Sequence, residues 1–110
     1  MDILDANHAF AALSQPVRLS VFRLLLQTGE AGMAAGDIAD AMAVRQNTMS
    51  ANLSILTHAG LIRSERQGRS IRYFADTEGL KGLLGFLLED CCGGKPERCQ
   101  PLINELSCAC

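Results

Sequence analysis

The chain has 110 residues, a net charge of −2 and a hydrophobic fraction of 48%, with 5% aromatic residues and no tryptophan. This length favours one domain and is short for two ordinary ones. The start of the chain, residues 1–5, is acidic where a secretory signal needs positive charge, and no apolar run reaches the length of a membrane span. We therefore expect a cytoplasmic protein without a membrane partner. Its many small apolar residues exceed what one small core holds, which predicts a buried subunit interface.

The first part of the chain predicts four helices. A short helix over residues 5–14 is followed by one over residues 17–27, where Ser14 supplies a capping hydroxyl and Pro16 gives up only an N–H that the first turn leaves unpaired. Gly29 suits a left-handed residue at the end of this helix. The third helix spans residues 36–42. The fourth begins at Gln46 or Asn47 and ends near His58, with an apolar stripe of Met49, Leu53 and Leu56.

The pattern then changes from helical to alternating. Residues 61–66 and 70–74 predict two β-strands joined in a hairpin, with Gly68 as the turn residue. Residues 77–90 predict a last helix whose apolar residues cover more than one stripe, so we expect it to be buried on two sides. The expected fold is mainly α with a small β-hairpin.

Positive charge is concentrated in one segment. Residues 41–75 contain five arginines and one acidic residue, Glu65, which leaves +4 in this segment and −6 in the remainder. A basic segment on an acidic protein indicates a surface that contacts phosphates, although a solvated basic face has the same composition.

A short helix, a turn, a second helix with small polar outward residues and a basic hairpin together predict a winged helix-turn-helix. Such a helix can enter the major groove, and the hairpin can follow the backbone or the minor groove of operator DNA. The alternative is an ordinary α+β domain with a polar surface helix. The residues predicted to contact DNA are Arg45, Gln46, Asn47, Thr48, Ser50, Ala51, Asn52, Arg66 and Arg69.

Four segments in register resemble the ArsR/SmtB family of transcriptional repressors. They are residues 12–19 (ALSQPVRL), residues 36–39 (GDIA), residues 49–62 (MSANLSILTHAGLI) and the wing from RQGR at 66–69 to Tyr73. The resemblance covers roughly residues 8–90. It implies a homodimer built through the first and last helices, with two recognition helices reading a pseudo-palindromic operator. Asn52 replaces a histidine that is frequent in the family, and asparagine can pair with adenine through two hydrogen bonds.

All five cysteines lie in the last 20 residues, at positions 91, 92, 99, 108 and 110. Thiolates are soft ligands, so this crowding predicts a sensor for a soft ion. The family's Cys-x-Cys site near Asp37 has no counterpart here, and neither His8 nor His58 lies in the last helix, where other members bind zinc. The tail resembles the arsenic-responsive branch, which implies that Cys91, Cys92 and Cys99 bind As(III) or Sb(III) and that the ion releases the repressor from DNA.

Cys108 and Cys110 leave several readings open. They could complete a four-sulfur zinc site, form a disulfide under oxidation, capture ion as a spare chelator, or belong to a disordered end without function. The expected domains are residues 1–90 for DNA binding and dimerisation and residues 91–110 for inducer binding. The alternatives for the whole chain are a thiol-redox repressor, a cadmium- or zinc-sensing repressor, and a metallochaperone or thiol enzyme. An enzyme is disfavoured because the tail has no histidine to act as a base.

Overall fold

The structure, a computed structural model, describes residues 1–89, 97, 100, 101, 104 and 105. Within these residues the chain forms five α-helices and one three-stranded antiparallel sheet. The helices are α1 (Ile3–Leu13), α2 (Pro16–Thr28), α3 (Ala35–Met42), α4 (Gln46–His58) and α5 (Thr77–Leu88), and the strands are β1 (Met33–Ala34), β2 (Ile62–Gln67) and β3 (Ser70–Ala75). This order is that of a winged helix-turn-helix, so the predicted fold class is confirmed.

The junction between α1 and α2 differs from the prediction in its capping residue. Helix α1 begins at Ile3 because the side chain of Asp2 accepts a hydrogen bond from the Asp5 amide at 2.8 Å. The cap of α2 is Gln15, whose Oε1 accepts from the Arg18 amide at 2.8 Å. Ser14 was the expected cap, but its hydroxyl donates to the Ala11 carbonyl at 2.7 Å and closes α1 instead. The hydroxyl is short enough to bond the turn behind it, which leaves the longer amide to cap α2.

A single core holds α2, α3 and α4 together. The stripe predicted for α4, Met49, Leu53 and Leu56, is buried, as are Ile38 and Ala39 of α3. Helix α2 buries a face around Leu25, and α1 buries only small residues. This core fixes the helix-turn-helix. The full set of buried apolar residues is Ala6, Ala9, Ala12, Val21, Phe22, Leu25, Ile38, Ala39, Met49, Leu53, Leu56, Leu61, Ile62, Phe74 and Leu83.

The turn between α3 and α4 contains a non-glycine residue in the left-handed region. Ala43 ends α3 with φ 55° and ψ 43°, and its amide donates to the Asp40 carbonyl. The next amide, that of Val44, donates to the Ala39 carbonyl at 3.0 Å. Left-handed backbone costs a residue with a Cβ about 1–2 kcal/mol. The surrounding hydrogen bonds and the packing of α3 on α4 hold this turn in place.

The sheet contains one strand more than the sequence predicted. Strands β2 and β3 form the expected hairpin, paired from Ile62 with Ala75 to Gln67 with Ser70. Gly68 in the connecting turn has φ 64°, which glycine adopts without a steric penalty. The additional strand β1 pairs Met33 with Tyr73 on the other edge of β3. Two residues are too few to give an alternating pattern, so the sequence offered no signal for this strand.

Helix α5 is buried on one side only within the single chain. Leu83 is buried, whereas Leu84 and Leu87 are each 48% exposed. The predicted burial on two sides is therefore not achieved within one copy. The side of α5 that carries Leu84 and Leu87 stays open. The rest of the predicted helix, from Asp90 onward, lies outside the described residues.

No single helix in the described part of the chain is long and apolar enough to cross a membrane. Helices α1 and α2, taken with the turn up to Ala31, meet the length and composition criteria only as a pair, and they are bent by 100° at their junction.

Candidate nucleic-acid interface

Helix α4 presents a polar face to solvent. Its buried stripe packs on α2 and α3, so the remaining residues of its first two turns, apart from Asn52, face outward. Small amides and hydroxyls dominate this face, which leaves room for the helix to enter a major groove and reach base edges. The predicted contact residues that are exposed here are Arg45, Gln46, Asn47, Thr48, Ser50 and Ala51.

The beginning of α4 is suited to an anion. Arg45 stands at the N-cap position, and its side chain makes no capping hydrogen bond. The Asn47 side chain accepts from the Thr48 amide at 2.8 Å. Unpaired amides at a helix N-terminus attract negative groups, and a DNA phosphate is such a group. The exposed guanidinium of Arg45 adds positive charge at the same end of the helix.

Asn52 is the exception among the predicted contact residues. It is 7% exposed, and it is the buried polar residue of the described part of the chain. Its Oδ1 accepts a hydrogen bond from Arg18 Nη1 at 3.2 Å. The predicted contact of Asn52 with adenine does not fit this placement, because the side chain points toward α2. The polarity of its amide predicts Asn52 on the outer face, but in the structure the half-buried Arg18 donates to the amide oxygen of Asn52.

The arginines of the hairpin divide into two pairs. Arg63 lies 4.5 Å from the centre of the Phe74 ring and donates to Glu65 at 2.9 Å. Arg72 donates to the carbonyls of Ala31 and Gly32 at 3.0 and 3.2 Å, which ties the sheet to the end of α2. Arg66 and Arg69 lie at the exposed tip beside Gly68, and the described residues give their side chains no hydrogen-bond partner. The tip is therefore the part of the wing that is free to contact phosphates.

Sequence reasoning missed two of these features. In the sequence Arg18 is only one residue of a family signature, whereas in the structure its side chain links α1 to α4. Arg63 and Arg72 were counted with the basic surface, although they are bound within the protein. The alternation of a strand identifies which face a residue lies on, but it does not identify the partner that lies there.

Two histidines lie beside a cleft between α1 and α4. The cleft has a volume of about 550 Å³ and is lined by His8, His58 and Arg18 among smaller residues. The ring of His58 lies 2.8 Å from the Ser54 carbonyl, so one ring nitrogen is engaged within α4. Within the described residues, no group of three or more histidine, cysteine or acidic side chains could hold a metal.

The predicted inducer site lies outside the described residues. This applies to all of its members, Cys91, Cys92 and Cys99, and to Cys108 and Cys110. Helix α5 ends at Leu88, so the vicinal pair follows its end by three residues.

Comparison with known proteins places this architecture among bacterial regulators. A family described as a helix-turn-helix domain matches residues 13–65. The transcriptional repressor SdpR of Bacillus subtilis is 34% identical over 82 residues, which cover 74% of this chain and 88% of SdpR. The transcriptional repressor SmtB of Mycobacterium tuberculosis is 37% identical over 73 residues, which cover 66% of this chain and about half (52%) of that protein.

A solved structure has the same fold. The homodimeric winged helix-turn-helix DNA-binding domain Mb0332 of Mycobacterium bovis, described as a possible ArsR-family regulator, has a TM-score of 0.64 and 29% identity. The alignment covers 76% of this chain and 74% of that one. These relatives are transcriptional regulators rather than enzymes, which agrees with the expectation from the sequence. The chain belongs to the ArsR/SmtB family of winged helix-turn-helix transcriptional repressors.

Proposed function

We propose that this protein binds operator DNA as a homodimer and releases it when As(III) or Sb(III) binds the thiolates of Cys91, Cys92 and Cys99. The observation that carries the DNA-binding part is the exposed polar face of α4, held in place by a buried stripe. The part that concerns the inducer rests on the clustering of all the cysteines after α5 and on the resemblance to arsenic-responsive repressors. Because thiolates must be available, we place the protein in the reducing cytoplasm.

Docking on DNA would use two elements of each subunit. Helix α4 would enter the major groove through its outward face, with Arg45 and the helix N-terminus at a flanking phosphate. The wing tip, with Arg66 and Arg69, would contact the backbone beyond the groove. Arg63 and Arg72 would stabilise the wing instead of contacting DNA, because their side chains are already bound to other parts of the protein.

The dimer interface would be formed by α1 and α5. Leu84 and Leu87 are half exposed on α5, and Ile3 and Leu4 of α1 are 76% and 62% exposed. Helices α1 and α5 contact each other, and exposed leucine and isoleucine side chains on both are costly to leave in water, so a second copy can cover them. The similar domain from Mycobacterium bovis is homodimeric, which supports a dimer as the assembly.

The inducer would act through the end of α5. Three sulfur bonds would join residues directly after this helix to Cys99 and draw the intervening segment inward. Because α5 belongs to the proposed dimer interface, the change would alter the spacing of the two α4 helices. A coupling of about 1–3 kcal/mol is typical of such linkage. Since thiolates bind the ion, protons would be released on binding and affinity would fall at low pH.

The test is fluorescence anisotropy of reduced protein on labelled DNA from its own upstream region, titrated with arsenite. Wild-type protein should dissociate at about one ion per chain, whereas Cys99→Ser should bind the DNA normally and stay bound. The matched control is the double variant Cys108→Ser, Cys110→Ser, which should keep the response. If Cys99→Ser still dissociates with arsenite, the three-cysteine site is wrong. If the double variant is unresponsive, the site includes the last two cysteines.

A second candidate is a repressor that senses thiol oxidation or cadmium or zinc. Closely spaced thiols, as in Cys91-Cys92 and Cys108-Ala109-Cys110, favour it, because such pairs can be oxidised or can chelate a divalent ion. Release of DNA by diamide or cadmium, together with no response to arsenite, would support this candidate over the first.

A further inference from the structure

Arg18 connects three parts of the fold through one side chain. Its Nε donates to the Ala12 carbonyl at the end of α1 at 2.7 Å, and its Nη1 donates to Asn52 Oδ1 of α4 at 3.2 Å. Its own amide donates to Gln15, the residue that caps α2. Arg18 therefore lies at the α1–α2 junction and reaches the middle of α4. The planar guanidinium fixes both hydrogen bonds in one geometry.

The hydrogen bond from Arg18 to Asn52 lies next to a cleft between α1 and α4. Beyond Arg18 the cleft of about 550 Å³ opens between the two helices, so they are not packed together there. The angle between them must then depend on the few contacts that bridge them. Asn52 lies beside Leu53 of the buried stripe, and its amide would lack a partner on this side of α4 without Arg18. An unsatisfied buried polar group costs about 1–3 kcal/mol, so the bond is firmly maintained.

We infer that Arg18 and Asn52 are a positioning pair, which sets the orientation of α4 relative to α1, and that Asn52 does not read a base. This inference rests on the proposed DNA binding through α4 and extends it. Ser50 and Ala51 lie directly before Asn52 on the exposed face, so a small rotation of α4 about this bond would displace the contacts to base edges. Because α1 belongs to the proposed dimer interface, the pair also links that interface to the recognition helix.

The decisive comparison is Asn52→Ala against Asn52→Asp. Aspartate keeps an acceptor for Arg18 and turns the hydrogen bond into an ion pair, whereas alanine removes the acceptor. A base-reading asparagine would behave in the opposite way, because aspartate cannot donate to adenine and is repelled by DNA. The control for added negative charge is Ser54→Asp on the exposed face of the same helix. We expect Asn52→Ala to weaken operator binding about tenfold, and Asn52→Asp to stay within about threefold of Ser54→Asp.

Two further measurements separate positioning from a general loss of structure. Arg18→Lys keeps the positive charge but loses the planar guanidinium that donates to two partners at once. It should therefore weaken operator binding without changing the salt dependence of that binding. Combined with Asn52→Ala it should cost no more than Arg18→Lys alone, since the bond between Arg18 and Asn52 is already lost in that variant. Binding to operators substituted at single base pairs should fall in parallel for wild type and Asn52→Ala, because no base contact is removed.

Three results would overturn the inference. They are a loss for Asn52→Asp, measured relative to Ser54→Asp, that equals or exceeds the loss for Asn52→Ala relative to wild type, additive losses for Arg18→Lys and Asn52→Ala, and relaxed preference at a single base pair in Asn52→Ala. The wild-type titration on operator DNA, made first, keeps the two proposals apart. Failure of wild type to bind would refute the proposed function, whereas normal wild-type binding with unaffected variants would refute the pair alone.

Discussion

Gly79 allows the first turn of α5 to lie against the backbone of the turn after α4. A Cβ at this position would overlap the carbonyl oxygen of Gly60, and the Leu61 Cα lies 3.8 Å away. The Asp76 side chain caps the same turn by accepting from the amides of Glu78 and Gly79 at 3.1 and 3.2 Å. The start of α5, and with it the proposed dimer interface, is thereby fixed to the end of the recognition helix.

We predict that Gly79→Ala destabilises the protein by about 1–3 kcal/mol, because the backbone of Gly60 must move to admit the methyl group. The control is Gly85→Ala on the same helix, where nothing lies within 4 Å of the added atom. That change should stabilise by about 0.5–1 kcal/mol, since alanine favours a helix interior. Urea unfolding at equal protein concentration measures both. Equal effects of the two substitutions would contradict the close approach at Gly79.

At the scale of the element, the wing carries its charge in two different ways. Arg63 contacts Phe74 and Glu65 within the hairpin, whereas Arg72 donates to carbonyls of the turn that follows α2 and joins the hairpin to it. Arg66 and Arg69 stand at the tip, away from that packing. Arg66 and Arg69 should therefore contribute more to DNA binding than Arg63 and Arg72, although all four carry the same formal charge.

We predict that Arg66→Ala lowers the salt dependence of operator binding. Each phosphate contact contributes about 0.9 to the slope of log K against log salt, so losing one in each wing of a dimer lowers the slope by about 1.8. Arg63→Ala is the matched control and should change the slope by less than about 0.5, because that side chain is held by Phe74 and Glu65. Anisotropy titrations over a range of salt concentrations measure both. A larger change in slope for Arg63→Ala than for Arg66→Ala would show that Arg63, and not Arg66, contacts the phosphate.

For the whole molecule, the exposed apolar side of α5 is the surface that we propose a second copy covers. Leu84 and Leu87 lie one turn apart at the same exposure, 48%, next to the face of the helix that holds Leu83 in the core. A single copy buries only one of the two sides that the sequence predicts to be apolar. The second copy would supply the missing cover and bring two α4 helices to the same face of DNA.

We predict that Leu84→Glu weakens dimerisation by about 2 kcal/mol or more, because a carboxylate would be buried in an apolar interface without a partner. Operator binding should weaken with it, since one subunit covers only one half-site. Leu26→Glu on α2 is the control, as Leu26 is 37% exposed but lies outside α1 and α5. Sedimentation equilibrium measures the association. A monomer produced by Leu26→Glu but not by Leu84→Glu would place the interface elsewhere.

The sequence by itself determined the order of the five helices and the hairpin, and most of the outward face of α4. The spacing of apolar residues and the positions of glycines are local properties of the sequence. The stripe of Met49, Leu53 and Leu56 therefore identifies the buried face of α4 without knowledge of its neighbours. The hairpin and its turn at Gly68 follow from the same local rules. The assignment of Cys91, Cys92 and Cys99 as the ligands of the inducer remains a prediction, because these residues lie outside the described part of the chain.

Only the tertiary structure decided which polar residues are available for binding. Asn52 and Arg18 are 34 positions apart, and no local pattern reveals that they form a hydrogen bond. The same holds for Arg72, whose guanidinium binds carbonyls 40 and 41 residues earlier, and for strand β1, which exists because β3 lies beside it. A polar side chain is equally compatible with water, DNA or a buried partner. Contacts between helices and strands that are distant in the sequence determine which partner it has, and the sequence of one element carries no information about those contacts.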